Sequence, residues 1–140
     1  MDLNKLNEIL TDQPAYRTGQ IKEAVYKSSV DDWDEAIGLP RELRRQLKEK
    51  CPLDINAEIF VSDDGNSQKA VVSLVDGLKI ETVLMRHDNR NTVCVSSQVG
   101  CPMACSFCAT GKMGFKRNLA TTEIVEQAVL FARALKNLCF

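Results

Sequence analysis

The chain has 140 residues and a formal net charge of −1, with 44% hydrophobic and 26% charged residues. That length suits one domain, or one domain with a small appendage, and can bury a hydrophobic core without cross-links. The balanced charge excludes a global basic field for nucleic acid or anionic membrane, so any RNA contact has to use local patches.

The opening MDLNKLNEIL has neither a basic leader nor a long apolar run. It predicts no secretory signal, and no stretch approaches the roughly 20 apolar residues of a membrane span. No membrane partner and a cytoplasmic location are expected. Thiols there stay reduced, and clustered cysteines mean metal or redox chemistry more often than structural disulfides.

In chain order, Leu3, Leu6, Ile9 and Leu10 recur at helical spacing until Pro14 breaks the pattern. Tyr16, Ile21 and Val25 define a second helix running to about Lys27. SSVDDWDEAIGLP offers a capping residue, a short turn carrying Trp33, and a Gly-Leu-Pro stop. PRELRRQLKEKC starts a third helix with Pro40 near its first position, where the missing N–H costs nothing. Leu39, Leu43 and Leu47 share one face, and Arg41, Arg44, Arg45, Lys48 and Lys50 outnumber Glu42 and Glu49 on the rest.

From Ile55 the period changes to two. Strands are predicted over 55–62, 68–75, 78–85 and 91–97, with turns at Asp64-Gly65-Asn66, Asp76-Gly77 and Asp88-Asn89. The last strand is expected to run straight into a cysteine-rich loop. Thr121 and Thr122 then cap a helix with Glu123 in its first turn and Ile124, Val125, Ala128, Val129, Ala132 and Leu135 on a broad apolar face. Strand, loop and helix in that order read as the first half of a βαβ unit, whose packing partner is a parallel sheet. The expected fold class is α/β. A small helical domain covers 1–52, a β-hairpin connector covers 53–90, and 91–140 opens a larger α/β domain that is cut after its first crossover helix.

The loop reads GCPMACSFCATG, with Cys101, Cys105 and Cys108 spaced C-x3-C-x2-C. Thiolates select zinc, copper or iron–sulfur clusters. Three thiols on one short loop can hold three irons of a cubane and leave the fourth iron open for a substrate. Gly100 permits a tight backbone entry, Pro102 stiffens the loop, and Gly111 and Gly114 free its exit. Phe107 would shield the cluster or pack on an adenine. The competing metal reading is a zinc knuckle completed by Cys94 or Cys51.

This motif, between a strand and a helix, resembles the signature of the radical SAM enzymes. The longer stretch CVSSQVGCPMACSFCATGKMGFKRNLATTEIVEQ resembles more narrowly the adenine-C2 methyltransferases of ribosomal and transfer RNA, the RlmN type, with their C8-methylating Cfr relatives. QPAYRTGQI, LPRELRRQL and KIETVLM are similar to the same family's N-terminal region. The resemblance implies a partial TIM-like barrel beginning at the last predicted strand, a [4Fe–4S] cluster on Cys101, Cys105 and Cys108, and S-adenosylmethionine on the open iron. Reductive cleavage of that cofactor gives a 5′-deoxyadenosyl radical, so the family chemistry lies largely in the cofactor. It also implies 23S ribosomal RNA and transfer RNA as substrates, and an electron donor such as flavodoxin or ferredoxin. Cys94 matches the family's upstream redox cysteine, which releases the methylated base by thiol–disulfide exchange with a second, C-terminal cysteine. Glu81 matches an acidic residue near the target adenine. The family's Gly- and Glu-containing SAM motif and its methyl-carrying cysteine lie beyond Phe140, so only the N-terminal portion is expected here. Cys139 is not expected to replace that cysteine.

Blander readings apply to the same residues. Cys94 alone reads as a buried strand cysteine, Glu81 as a solvated strand residue, and Cys51 as structural. His87, the sole histidine, reads as a turn residue. Arg41, Arg44, Arg45 and Lys48 form the solvated face of a helix, with RNA contact as the minority reading. Lys112, Lys116 and Arg117 form a second basic cluster with no acid in view, placed to face RNA. Trp33 and Phe60 read as core. The functional alternatives to an enzyme segment are a non-catalytic RNA-binding module and an inactive remnant of a truncated gene. The remnant would expose the apolar face of the last helix.

Overall fold

The structure is a computed structural model and describes residues 3–136. It divides into two compact units, Met1–Asp54 with Val129–Phe140, and Ile55–Ala128. The second unit therefore runs across the boundary expected near residue 90, and the final helix contributes to both units. Cys139 lies outside the described residues.

Amphipathic helices build the first unit. Helix α1 spans Leu3–Leu10, α2 spans Tyr16–Lys22, and a π-helical turn continues α2 over Glu23–Lys27. The wide turn is closed by Ser28 N–H donating to Glu23 O at 2.9 Å. Ile21 and Val25 face inward as expected, whereas Tyr16 is 59% exposed and does not belong to the buried face. A single 3-10 turn covers Trp33–Glu35, and the Asp32 carboxylate caps it by accepting from Asp34 N–H at 2.8 Å. Helix α3, Arg41–Lys50, follows Pro40 and buries Leu43 and Leu47 beside Leu39. Trp33 fills the centre of this core at 1% exposure, and its indole N–H donates 2.8 Å to Cys51 O. Cys51 is itself fully buried among these residues.

Alternation builds the second unit. Strands β1 (Ala57–Val61), β2 (Ser67–Ser73), β3 (Lys79–His87) and β4 (Arg90–Cys94) form one antiparallel sheet in sequence order. The turns sit where Asp and Gly predict them. Asp64 accepts from Ser62 Oγ at 2.6 Å and Asn66 N–H at 3.0 Å, Asp76 accepts from Leu78 N–H at 3.1 Å, and Gly65 and Gly77 take positive φ. Register places Ala70 opposite Thr82 and Val72 opposite Ile80, so these residues share a face with Leu84, and all five are buried. The other face carries Phe60, Lys69, Glu81, Val83 and Cys94.

The fourth strand differs from expectation. It ends at Cys94 and pairs only with β3, antiparallel. Residues 95–97 then lead to β5 (Gln98–Val99), which pairs antiparallel with β6 (Arg117–Asn118) on the far side of the cysteine loop. No strand pairing among the described residues is parallel. A parallel partner for β5 would have to come after the crossover helix, and no described strand follows it. Helix α4, Ala109–Lys112, lies within the loop, and α5, Thr121–Lys136, follows. In the first unit, half-buried Arg133 on α5 donates 2.8 Å to Leu53 O and sits 3.7 Å from Asp31. No described helix is long and apolar enough to cross a membrane.

Trp33→Phe keeps most of the aromatic volume but removes the indole N–H that donates to the Cys51 carbonyl. A loss of about 2 kcal/mol is expected. Urea unfolding should be followed by far-UV circular dichroism, because Trp33 is the only tryptophan.

Candidate functional site

The cysteine loop is tied off at its base. Lys116 N–H donates 2.9 Å to Val99 O, and Leu119 N–H donates 2.9 Å to Ser97 O, closing the short β5–β6 ribbon. Gly100 enters at φ +74, and a Cβ there would lie 1.7 Å from Gly114 O. Only glycine lets the two feet of the loop approach this closely. Gly111 has a different role from the flexible exit expected of it. It is buried in α4, where a Cβ would meet Cys105 N at 3.0 Å, so its small size lets α4 pack on the loop.

Cys101, Cys105 and Cys108 are all partly exposed on this loop. Among the described residues, no group of three or more His, Cys, Asp or Glu side chains stands close enough to hold a metal ion. The donor set nevertheless suits a soft metal centre. The backbone N–H groups of Gly111 and Thr110 pull the Cys108 thiol below its usual range, which favours the metal-binding thiolate. Cys51 is sealed in the helical core and unsuited as a fourth ligand. Phe107 is 90% exposed beside Cys108.

Cys94 is exposed at the end of β4, not buried as its local sequence suggests. Its neighbourhood is fixed by three polar residues that the sequence reading passed over. Buried Thr82 donates its hydroxyl to Cys94 O at 2.8 Å. Ser96 Oγ donates to Glu81 O at 2.7 Å. The fully buried Gln127 amide clamps Ser96 from both sides: its Oε1 accepts from Ser96 N–H at 2.8 Å, and its Nε2 donates to Ser96 O at 2.9 Å. A glutamine one turn before Phe131, on the apolar side of α5, was the available signal for this clamp.

Glu81 projects from the same sheet face as Cys94 and receives Lys69 Nζ at 3.2 Å. It lines a cleft of about 190 Å³ together with Ser96, Gln98, Gly100, Thr110 and Met113. The cleft thus joins the open sheet face to the base of the cysteine loop.

The basic residues divide. Arg117 is the clearest correction, because two acids hold it. Its Nε donates to Asp76 at 2.7 Å, and its two terminal nitrogens make 2.8 Å bonds to the two oxygens of Glu123. Asp76 lies 41 residues away in sequence, whereas Glu123 is only six residues on, in the first turn of α5, and is the acid that the basic reading of this cluster overlooked. Both carboxylates are held below their usual range, first by hydrogen bonds from Arg117. On α3, Arg44 donates to Asp34 O at 2.7 Å, Arg45 pairs with Glu42 at 2.8 Å, and Lys48 pairs with Asp32 at 2.9 Å. Arg41, Lys112 and Lys116 are exposed.

No protein-family profile matches the chain. Individual relatives do. It is 43% identical over 136 residues to a probable dual-specificity RNA methyltransferase RlmN of Dictyoglomus thermophilum, covering 96% of this chain and 39% of that protein. A counterpart named in the same way in Chloroflexus aurantiacus is 40% identical over 138 residues, covering 96% and 37%. The crystal structure of a radical SAM methyltransferase from Sphaerobacter thermophilus superposes with a TM-score of 0.83 at 42% identity, over 99% of this chain and 42% of that one. The chain belongs to the RlmN-type radical SAM methyltransferase family. It spans about two fifths of the length of the relatives it matches.

Gly100→Ala is expected to destabilise the chain by well over the roughly 1–2 kcal/mol of a left-handed alanine. Gly65→Ala has similar φ but open space around it, so it should cost only the strain. Chemical unfolding of both variants separates the two effects. The Arg117 network also has a pH signature. A carboxyl lowered in the folded state stabilises fully above its unfolded pKa, and that contribution is lost as pH falls through the folded pKa. Thermal stability should therefore drop on acidification through and below the usual carboxylate range, and drop less steeply in Arg117→Ala.

Proposed function

We propose that these residues form the cluster-bearing N-terminal portion of an enzyme that methylates adenine at C2 in 23S ribosomal RNA and transfer RNA. The observation that carries the reading is the shared placement of Glu81 and Cys94. Both stand on one open sheet face, and the Glu81 cleft reaches the base of the loop bearing Cys101, Cys105 and Cys108. Names and identity of the relatives support the same chemistry, including S-adenosylmethionine as cofactor.

In this reading Cys101, Cys105 and Cys108 hold a [4Fe–4S] cluster. When bound, the cluster and S-adenosylmethionine supply the one-electron chemistry that an unactivated aromatic carbon requires, with the electron coming from a flavodoxin- or ferredoxin-type donor. An enzyme acting on a base takes that base out of its stack. The cleft beside Glu81 is the seat for the extruded adenine. The Glu81 carboxylate accepts from the exocyclic amine and holds the ring in orientation. Cys94 sits within the same face as the thiol for disulfide exchange, and its exposure gives it the access such exchange needs. Thr82, Ser96 and Gln127 fix the backbone that carries both groups. Lys112 and Lys116, exposed beside the loop, are the basic residues placed for RNA phosphates. Arg117 instead serves the scaffold. Residues from β5 through α5 correspond to the opening of the family's barrel.

Anaerobic reconstitution with iron and sulfide tests the cluster reading. Equal amounts of bound iron and sulfide, with a brown chromophore bleached by oxygen, are expected. Replacing Cys101, Cys105 and Cys108 by Ala should abolish the chromophore, whereas Cys94→Ala should keep it. Stoichiometric zinc without sulfide, lost in Cys94→Ala, would instead establish the zinc knuckle.

A further inference from the structure

Phe60 reads from the sequence as core, yet it is 47% exposed. It stands on edge strand β1, and register connects it directly to the candidate site. Phe60 lies opposite Lys69, Lys69 opposite Val83, and Val83 opposite Cys94. Directly opposed residues of an antiparallel sheet point to the same side. The four side chains therefore form one cross-strand row on the open face, and three strand spacings put Phe60 roughly 14 Å from Cys94. Lys69 Nζ lies 5.6 Å from the centroid of the Phe60 ring and 3.2 Å from the Glu81 carboxylate. One ammonium thus links the ring to the residue beside the proposed adenine seat.

We propose that Phe60 and Lys69 form a stacking platform for a base flanking the target in single-stranded RNA. The inference rests on the reading that Glu81 and Cys94 meet the target adenine, since the strand bringing that base must then pass over this face. Aromatic rings beside cationic groups hold single strands by stacking on bases and attracting phosphates. A protein partner suits the row less well. Glu58 and Glu81 share the face with Lys69 and Lys79, and the buried centres of protein interfaces are depleted in such charges.

The test is equilibrium binding of a short fluorescein-labelled, adenine-containing single-stranded oligoribonucleotide to the 140-residue chain. Phe60→Leu should weaken binding about tenfold, the low-to-middle range for one stacked base, and leave the salt dependence unchanged. Phe60→Trp should bind as well as the parent, and Lys69→Ala should reduce the salt slope. The same sequence as a duplex should compete poorly, because its bases are stacked away from the ring. Unchanged affinity in Phe60→Leu with unaltered circular dichroism, equal competition by duplex, or no binding by the parent would each overturn the platform. Cluster reconstitution does not involve Phe60. Its failure would remove the proposed cluster chemistry while leaving the affinity difference between parent and Phe60→Leu in place.

Discussion

Arg117 is the point on which the second unit closes. Its guanidinium fork engages Glu123 at the start of α5 with two parallel bonds and uses its remaining direction for Asp76 in the β2–β3 turn. Its own position is on β6, the strand that seals the cysteine loop. One side chain thereby connects sheet, loop and helix. Planar, bidentate recognition suits arginine and would not transfer to lysine. The side chain is one third exposed, so water screens the charges only in part, and the geometry contributes more than the count of ion pairs suggests. Glu123 accepts from Ala120 N–H as well, so the group that receives Arg117 also caps the helix.

Around that closure, the residues proposed for the site have few freedoms. Cys94 and Glu81 sit on neighbouring strands whose register is fixed by buried Ala70, Val72, Ile80, Thr82 and Leu84 on the opposite face. A slip of one residue would turn the buried set outward and Glu81 and Cys94 inward, so burial on one face fixes orientation on the other. Ser96 lies between the end of β4 and the β5–β6 ribbon, and its backbone needs a partner of its own. Gln127 supplies one, using a helix side chain where a strand would otherwise stand.

Much of this was legible in the sequence, and for physical reasons. Period-two alternation with Asp–Gly punctuation located four strands within a few residues, because turn chemistry is local. Leu39, Leu43 and Leu47 announced the inner face of α3. The three loop cysteines and their glycines were visible as a set. Long-range partnerships were not. Nothing in KRN signals that Arg117 meets Asp76, and an alternating strand does not reveal that β1 lies at a sheet edge, where Phe60 stays half open. The pairing of β5 with β6 also escaped, since two-residue strands are too short to show a period.

The contact between Gly100 and Gly114 bears on how the cysteine loop is made. Its feet are brought together by backbone alone, with a hydrogen-bonded ribbon beneath them and the Arg117 network behind. In many small metal-binding domains the ion organises the chain, and the apo form is unfolded. Here the feet of the loop are held by the chain itself, through backbone contact, ribbon hydrogen bonds and the Arg117 fork, so a side chain added at Gly100 acts on the loop directly, from within the polypeptide.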